Sequence, residues 1–131
     1  MTNSRAKGVR NEREARELYS KAGYVVASTS DGGRWGDTDL FNLFDFIALK
    51  PSRRPIFAQV KTNSTQGELQ RYFDECREIL PPIHTCSHFL VKYDREGWRL
   101  WEMEGNHHIE MVDERNHDCN MGERVTEYLE L

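Results

Sequence analysis

Leu43-Phe44-Asp45-Phe46-Ile47-Ala48-Leu49 and Ile56-Phe57-Ala58-Gln59-Val60-Lys61-Thr62, joined through Lys50-Pro51-Ser52-Arg53-Arg54, are the stretches that decide how this chain folds. Both are apolar at nearly every position and read as central strands, yet each carries polar side chains that a core strand has no packing use for. Alternate side chains of a strand share a face, so Gln59 and Lys61 point the same way. If the five intervening residues form a hairpin loop, antiparallel pairing sets residue 49 opposite 55 and residue 45 opposite 59. Opposed Cβ atoms lie about 4.5–5.5 Å apart, close enough for one divalent cation to take oxygen from both Asp45 and Gln59. The Lys61 ammonium would then lie within reach of a bound water or a phosphate. An ordinary cross-strand ion pair is the competing account, weakened by the apolar surroundings.

Working outward, Ala15, Leu18, Tyr19 and Ala22 recur at helical spacing and predict a helix over residues 8–22, closed by Gly23. Glu12 falls on the same stripe, whereas Glu14 and Glu17 lie on other faces among arginines. Residues 24–29 read as a β-branched strand. The glycine-rich and acidic residues 30–39 read as a loop, either a plain flexible connection or a segment whose Ser30, Arg34 and Trp35 meet a ligand. Residues 65–79 form a second helix ended by Pro81-Pro82, followed by strands over 87–92 and 98–103 and a last helix over 123–131. Trp98 and Trp101 fall on opposite faces of their strand, so at least one needs cover from another element. The order α-β-β-β-α-β-β fits an α/β fold, a mixed central sheet with helices packed against it.

A chain of 131 residues fits one domain. No run approaches a membrane span and Met1-Thr2-Asn3-Ser4-Arg5 lacks the apolar stretch of a signal peptide, so a cytoplasmic location is expected. Cys76, Cys86 and Cys119 are odd in number and widely spaced, which favours free thiols. His84, Cys86 and His88, or His107, His108, His117 and Cys119, were they zinc ligands, would lack the paired spacing of structural zinc motifs. The net charge of −4 hides a segregation: residues 100–131 hold nine acids against two bases, and the remainder carries +3. Arg5, Lys7, Arg10 and Arg13 cluster near the N-terminus and Lys50, Arg53 and Arg54 in the hairpin loop. Local sign matters more than the total for a phosphate partner.

The motifs together resemble the PD-(D/E)xK nucleases, and most of all the archaeal Holliday junction resolvases. Lys7-Gly8-Val9-Arg10-Asn11-Glu12-Arg13 is similar to their KGxxxER opening, and Gly23-Tyr24-Val25-Val26 and Ser30 follow in order. Phe44-Asp45-Phe46-Ile47-Ala48-Leu49 stands where that family has PDIIAL, and Gln59-Val60-Lys61-Thr62 where it has ExKS or ExKT. The likeness covers roughly residues 5–95. It implies a restriction-endonuclease-like fold over residues 1–131, with an acidic C-terminal extension from about residue 104. It also implies a catalytic cluster of Glu12, Asp45, Gln59 and Lys61, with Ser30 as an auxiliary. Asp45, Gln59, the Val60 carbonyl and Glu12 are then the expected ligands of Mg²⁺, for which Mn²⁺ can substitute. Arg5, Lys7, Arg10, Arg13, Arg34, Arg53 and Arg54 are the expected DNA contacts, and a homodimer acting on branched DNA the expected assembly. Two departures stand out: Phe44 replaces the family's proline, and Gln59 replaces its second acid. The alternatives are the same chemistry on other DNA in repair or restriction, or a catalytically weakened DNA-binding module.

Overall fold

The computed structural model describes residues 4–28, 44–79, 86–104, 107–116 and 118–131. Along the chain these form α1 (Ser4–Lys21), β1 (Val25–Ser28), β2 (Phe46–Leu49), β3 (Ile56–Thr62), α2 (Gln66–Ile79), β4 (Cys86–Tyr93), β5 (Gly97–Glu104), β6 (His107–Asp113) and α3 (Glu123–Glu130). The strands make one six-stranded sheet in the order β1-β2-β3-β4-β5-β6. Every pairing is antiparallel except β3 with β4, which α2 joins as a parallel crossover. The α/β expectation of a mixed sheet flanked by helices therefore holds.

Local chemistry accounts for the ends of the helices. α1 stops at Gly23, whose φ of 97° is open to glycine and costly for other residues. There the Tyr24 N–H reaches the Tyr19 carbonyl at 3.1 Å and the Gly23 N–H that of Ser20 at 3.0 Å, so the last carbonyls of the helix keep partners. α2 begins with reciprocal bonds: the Thr65 hydroxyl accepts the Glu68 N–H, and the Glu68 carboxylate accepts the Thr65 N–H.

Two apolar clusters sandwich the sheet. One gathers Ala15, Leu18 and Tyr19 of α1, Phe46 and Ala48, Ile56 and Ala58, Leu90, Trp98 and Leu100, with Val125 and Leu129 of α3. The other packs Leu69, Tyr72, Phe73 and Cys76 of α2 against Phe44, Phe89, Val91, Trp101 and Met103. Trp98 and Trp101 thus do face opposite ways, and each is covered.

The acidic C-terminal segment is built into this body. It supplies β6, a strand absent from the sequence reading, because His107-His108-Ile109-Glu110-Met111 keeps its apolar side chains on an exposed edge instead of alternating toward a core. It also supplies Glu114, which is buried and whose carboxylate accepts N–H groups from Trp98, Gly122 and Arg124. Those three bonds fasten the start of α3 to the start of β5.

Candidate active site

The hairpin register is the one the loop length implies. Phe46 pairs with Ala58, Ile47 with Phe57 and Ala48 with Ile56, a register that carries residue 45 to the level of residue 59. At Asp45 the alternation of β2 breaks: Phe44 lies in the α2-side cluster and Phe46, two residues on, in the α1-side cluster. The Asp45 N–H still donates to the Ala58 carbonyl at 2.8 Å. Its carboxylate Oδ2 accepts the Val60 N–H at 2.7 Å, so a side chain takes the place of a backbone carbonyl at the end of the ladder. That bond fixes the carboxylate beside β3.

Gln59 and Lys61 both face the α2 layer, as alternation along β3 requires, because Ile56, Ala58 and Val60 pack on the α1 side. Gln59 is 4% exposed, and its Oε1 has no hydrogen-bond partner among the described residues. A buried amide oxygen in that state costs about 1–3 kcal/mol. The Lys61 Nζ lies 4.9 Å from the centre of the Tyr72 ring, a cation–π contact that holds the half-buried ammonium on α2. Tyr72 was not foreseen as part of the site; its place on the apolar stripe of α2 marked it as core.

Glu12 approaches from the other layer. Asn11, also unforeseen and buried, donates from Nδ2 to the Thr62 Oγ1 at 2.8 Å and pins this part of α1 to the carboxyl end of β3. Lys7 pairs with Asp94 at 2.7 Å and Glu14 with Lys92, so that flank of α1 leans toward β4 and its following turn. At about 100° per residue, Glu12 turns to the opposite flank, the one bearing Tyr19. The Tyr19 ring meets Phe46 of β2 at 5.1 Å. Glu12 is half-buried on that flank of the helix. The structure therefore brings Asp45, Gln59, Val60 and Lys61 together as strand neighbours, with Glu12 on the helix that covers the other face.

Ser30, Arg34, Asp37 and Asp39 lie outside the described residues, as do His84 and His117. Arg5, Arg10 and Arg13 are exposed and border an open groove with Val9, while Lys7 is engaged by Asp94. Arg53 and Arg54 stand at the hairpin end of β3, roughly 25 Å of chain from Lys61 at about 3.3 Å per residue. The Arg53 guanidinium donates to the Leu131 carbonyl at 2.8 Å, and the Lys50 ammonium to the Ala22 carbonyl at 2.7 Å.

The donor set around residue 45 fits a hard cation. A carboxylate and a buried amide oxygen without a partner among the described residues are oxygen ligands of the kind Mg²⁺ takes.

A second polar cluster lies on the opposite face. The Tyr19 hydroxyl meets His88 Nδ1 at 2.6 Å, His88 Nε2 stands 3.4 Å from Glu102 Oε2, and the Tyr128 hydroxyl donates to the same carboxylate. The bond with His88 dominates in holding the Glu102 carboxyl down to about 2 against the opposing effect of burial, with further help from Tyr128. Burial first, and then Glu102, pushes the Tyr128 hydroxyl above its ordinary range.

No family model matches the chain, and no curated protein matches it. Among solved structures it is similar to Hjc, a Holliday junction resolvase from the archaeal hyperthermophile Archaeoglobus fulgidus. The two are 19% identical over 82% of this chain and 84% of that one, with a TM-score of 0.46.

Proposed function

We propose that this protein is a metal-dependent endodeoxyribonuclease that hydrolyses phosphodiester bonds in branched DNA, with four-way junctions as its substrate. The observation that carries the reading is the pairing of a carboxylate fixed on the Val60 N–H with the buried oxygen of Gln59, which has no partner among the described residues and stands two residues from a lysine on the same face. The resemblance of Lys7–Arg13, Phe44–Leu49 and Gln59–Thr62 to the PD-(D/E)xK nucleases, and most of all to the archaeal Holliday junction resolvases, supports the reaction class; the motif fixes the reaction and not the DNA shape.

Asp45, Gln59 and the Val60 carbonyl would hold Mg²⁺ or Mn²⁺, and Glu12, coming from the α1 layer, would act through a second ion or a metal-bound water. When bound, the ion supplies Lewis acidity toward the scissile phosphate and a more acidic water. Lys61 orients the attacking water and offsets the charge that grows on the phosphate oxygens in the transition state. Tyr72 keeps that ammonium from collapsing into solvent. Arg5, Arg10 and Arg13 grip phosphates without reading sequence, and Arg34, Arg53 and Arg54 extend the same contact. A four-way junction has two strands to cut, and each chain offers one site, so the working form is a two-fold dimer in the cytoplasm. Sedimentation with junction DNA present checks that form, and a monomer at saturating DNA would remove it.

The test is incubation with end-labelled four-way junction and linear duplex in Mg²⁺, Mn²⁺ or EDTA. Cutting of the junction in either metal, abolished by EDTA, is expected. Equal cutting of linear duplex would keep the chemistry and replace the substrate. One observation favours a second reading, a DNA-binding module: Gln59 brings no charge to the cation. Gln59→Glu separates the two, because a weakened enzyme gains Mg²⁺-dependent cutting and a pure binder does not.

A further inference from the structure

We infer that Cys86, His88 and Glu102 form a second metal site, one for a borderline-soft cation such as Zn²⁺, on the sheet face opposite Gln59 and Lys61. Cys86 and His88 are two residues apart on β4 and share a face, and the β4–β5 register sets Glu102 directly opposite His88. Their ligand atoms all lie within 4.8 Å of one another, with Cys86 and His88 buried. At zinc bond lengths of about 2.0–2.3 Å, tetrahedral ligand atoms stand roughly 3.5 Å apart. The 3.4 Å between His88 Nε2 and Glu102 Oε2 already matches that spacing.

Three further features separate this cluster from a chance grouping. Thiolate, imidazole and carboxylate are the donors zinc takes, whereas Mg²⁺ prefers oxygen alone. His88 Nδ1 is held by the Tyr19 hydroxyl at 2.6 Å and Glu102 by the Tyr128 hydroxyl, the outer hydrogen bonds that orient ligands at metal centres. In the tautomer that carries the proton on Nδ1 and donates it to the Tyr19 oxygen, the Nε2 lone pair is left for a metal, which would replace the Nε2 contact to Glu102 seen without one. The three residues also open onto a cavity of about 270 Å³ that Arg53 and Arg54 border. Three protein ligands leave a fourth position toward this cavity, and the two guanidiniums suit an anionic ligand there, hydroxide or a small oxyanion.

Occupancy would tie β4, β5 and, through Tyr128, α3 into one unit. The site is independent of Asp45, so it stands or falls apart from the nuclease reading.

Co²⁺ titration of the full chain tests it, read by visible absorption and by thiolate-to-metal charge transfer. Expected are one Co²⁺ per chain with tetrahedral bands and a charge-transfer band, displacement by Zn²⁺, and a Zn²⁺-dependent rise in Tm. Cys86→Ser should remove the charge-transfer band, and Tyr19→Phe should weaken Co²⁺ binding by about 10–100-fold. Glu102→Gln, close in shape to the native residue, should weaken binding as well and serves if Cys86→Ser does not fold. Asp45→Asn should leave these signals unchanged. Absence of saturable binding, a charge-transfer band that survives in folded Cys86→Ser, undiminished affinity in Glu102→Gln, or loss of binding in Asp45→Asn would each overturn the assignment.

Discussion

The Asp45 carboxylate accepts the Val60 backbone N–H at 2.7 Å, so one acidic side chain both ends the β2–β3 ladder and stands beside Gln59. Structure and chemistry are coupled at that atom, and conservative substitution can separate them. Asp45→Asn keeps an oxygen acceptor for Val60 and should retain nearly native stability while losing cleavage. Asp45→Ala leaves the N–H unpaired and should cost about 1–3 kcal/mol in addition. Urea unfolding of both variants distinguishes the two effects.

Gln59 should show a trade between stability and activity. Its buried oxygen has no partner among the described residues, so Gln59→Met removes a desolvated polar atom at similar volume. The metal-free variant is expected to be more stable than the parent by about 1 kcal/mol, yet inactive. A destabilised Gln59→Met would mean the amide makes a native interaction of its own.

Acid should act through Glu102. Its folded-state carboxyl is lowered from 4.5 to about 2, so its contribution to stability is complete above pH 4.5 and is lost as pH falls from there toward 2. In metal-free protein, Glu102→Gln should flatten this part of the stability–pH curve and leave the neutral region sloping as before. Denaturant midpoints at half-unit pH steps read the difference.

Glu114 should be among the most sensitive positions outside the site. Removal of a buried carboxylate that takes three backbone N–H groups should cost more than about 3 kcal/mol, well above a surface acid. A Glu114→Ala variant within 1 kcal/mol of the parent in urea unfolding would show that α3 is held mainly by Val125 and Leu129.

The hairpin was legible in the sequence because loop length and alternation together leave one register, and the pairing of Phe46 with Ala58 is that register. The apolar stripes of α1 and α2 were legible for the same reason, since both are periodic signals. The change of face between Phe44 and Phe46 was not, because a local bend leaves no mark on hydrophobic pattern. Nor could spacing along the chain show Glu102 beside His88: the pairing crosses strands, and only the β4–β5 register creates it. Glu114 looked like one more charge in an acidic tail, and its burial depends on N–H groups brought to it by a turn and a helix start. Residues 107–113 escaped because an edge strand need not alternate toward a core.

The most direct measurement is single-turnover cleavage of a labelled four-way junction in Mg²⁺ by the parent and by Lys61→Ala, with junction affinity measured in parallel. Loss of cutting by at least about 100-fold with affinity nearly unchanged is expected for a lysine that acts on the reacting phosphate. Cutting that persists in Lys61→Ala, or affinity that falls as far as cutting does, would contradict the assignment.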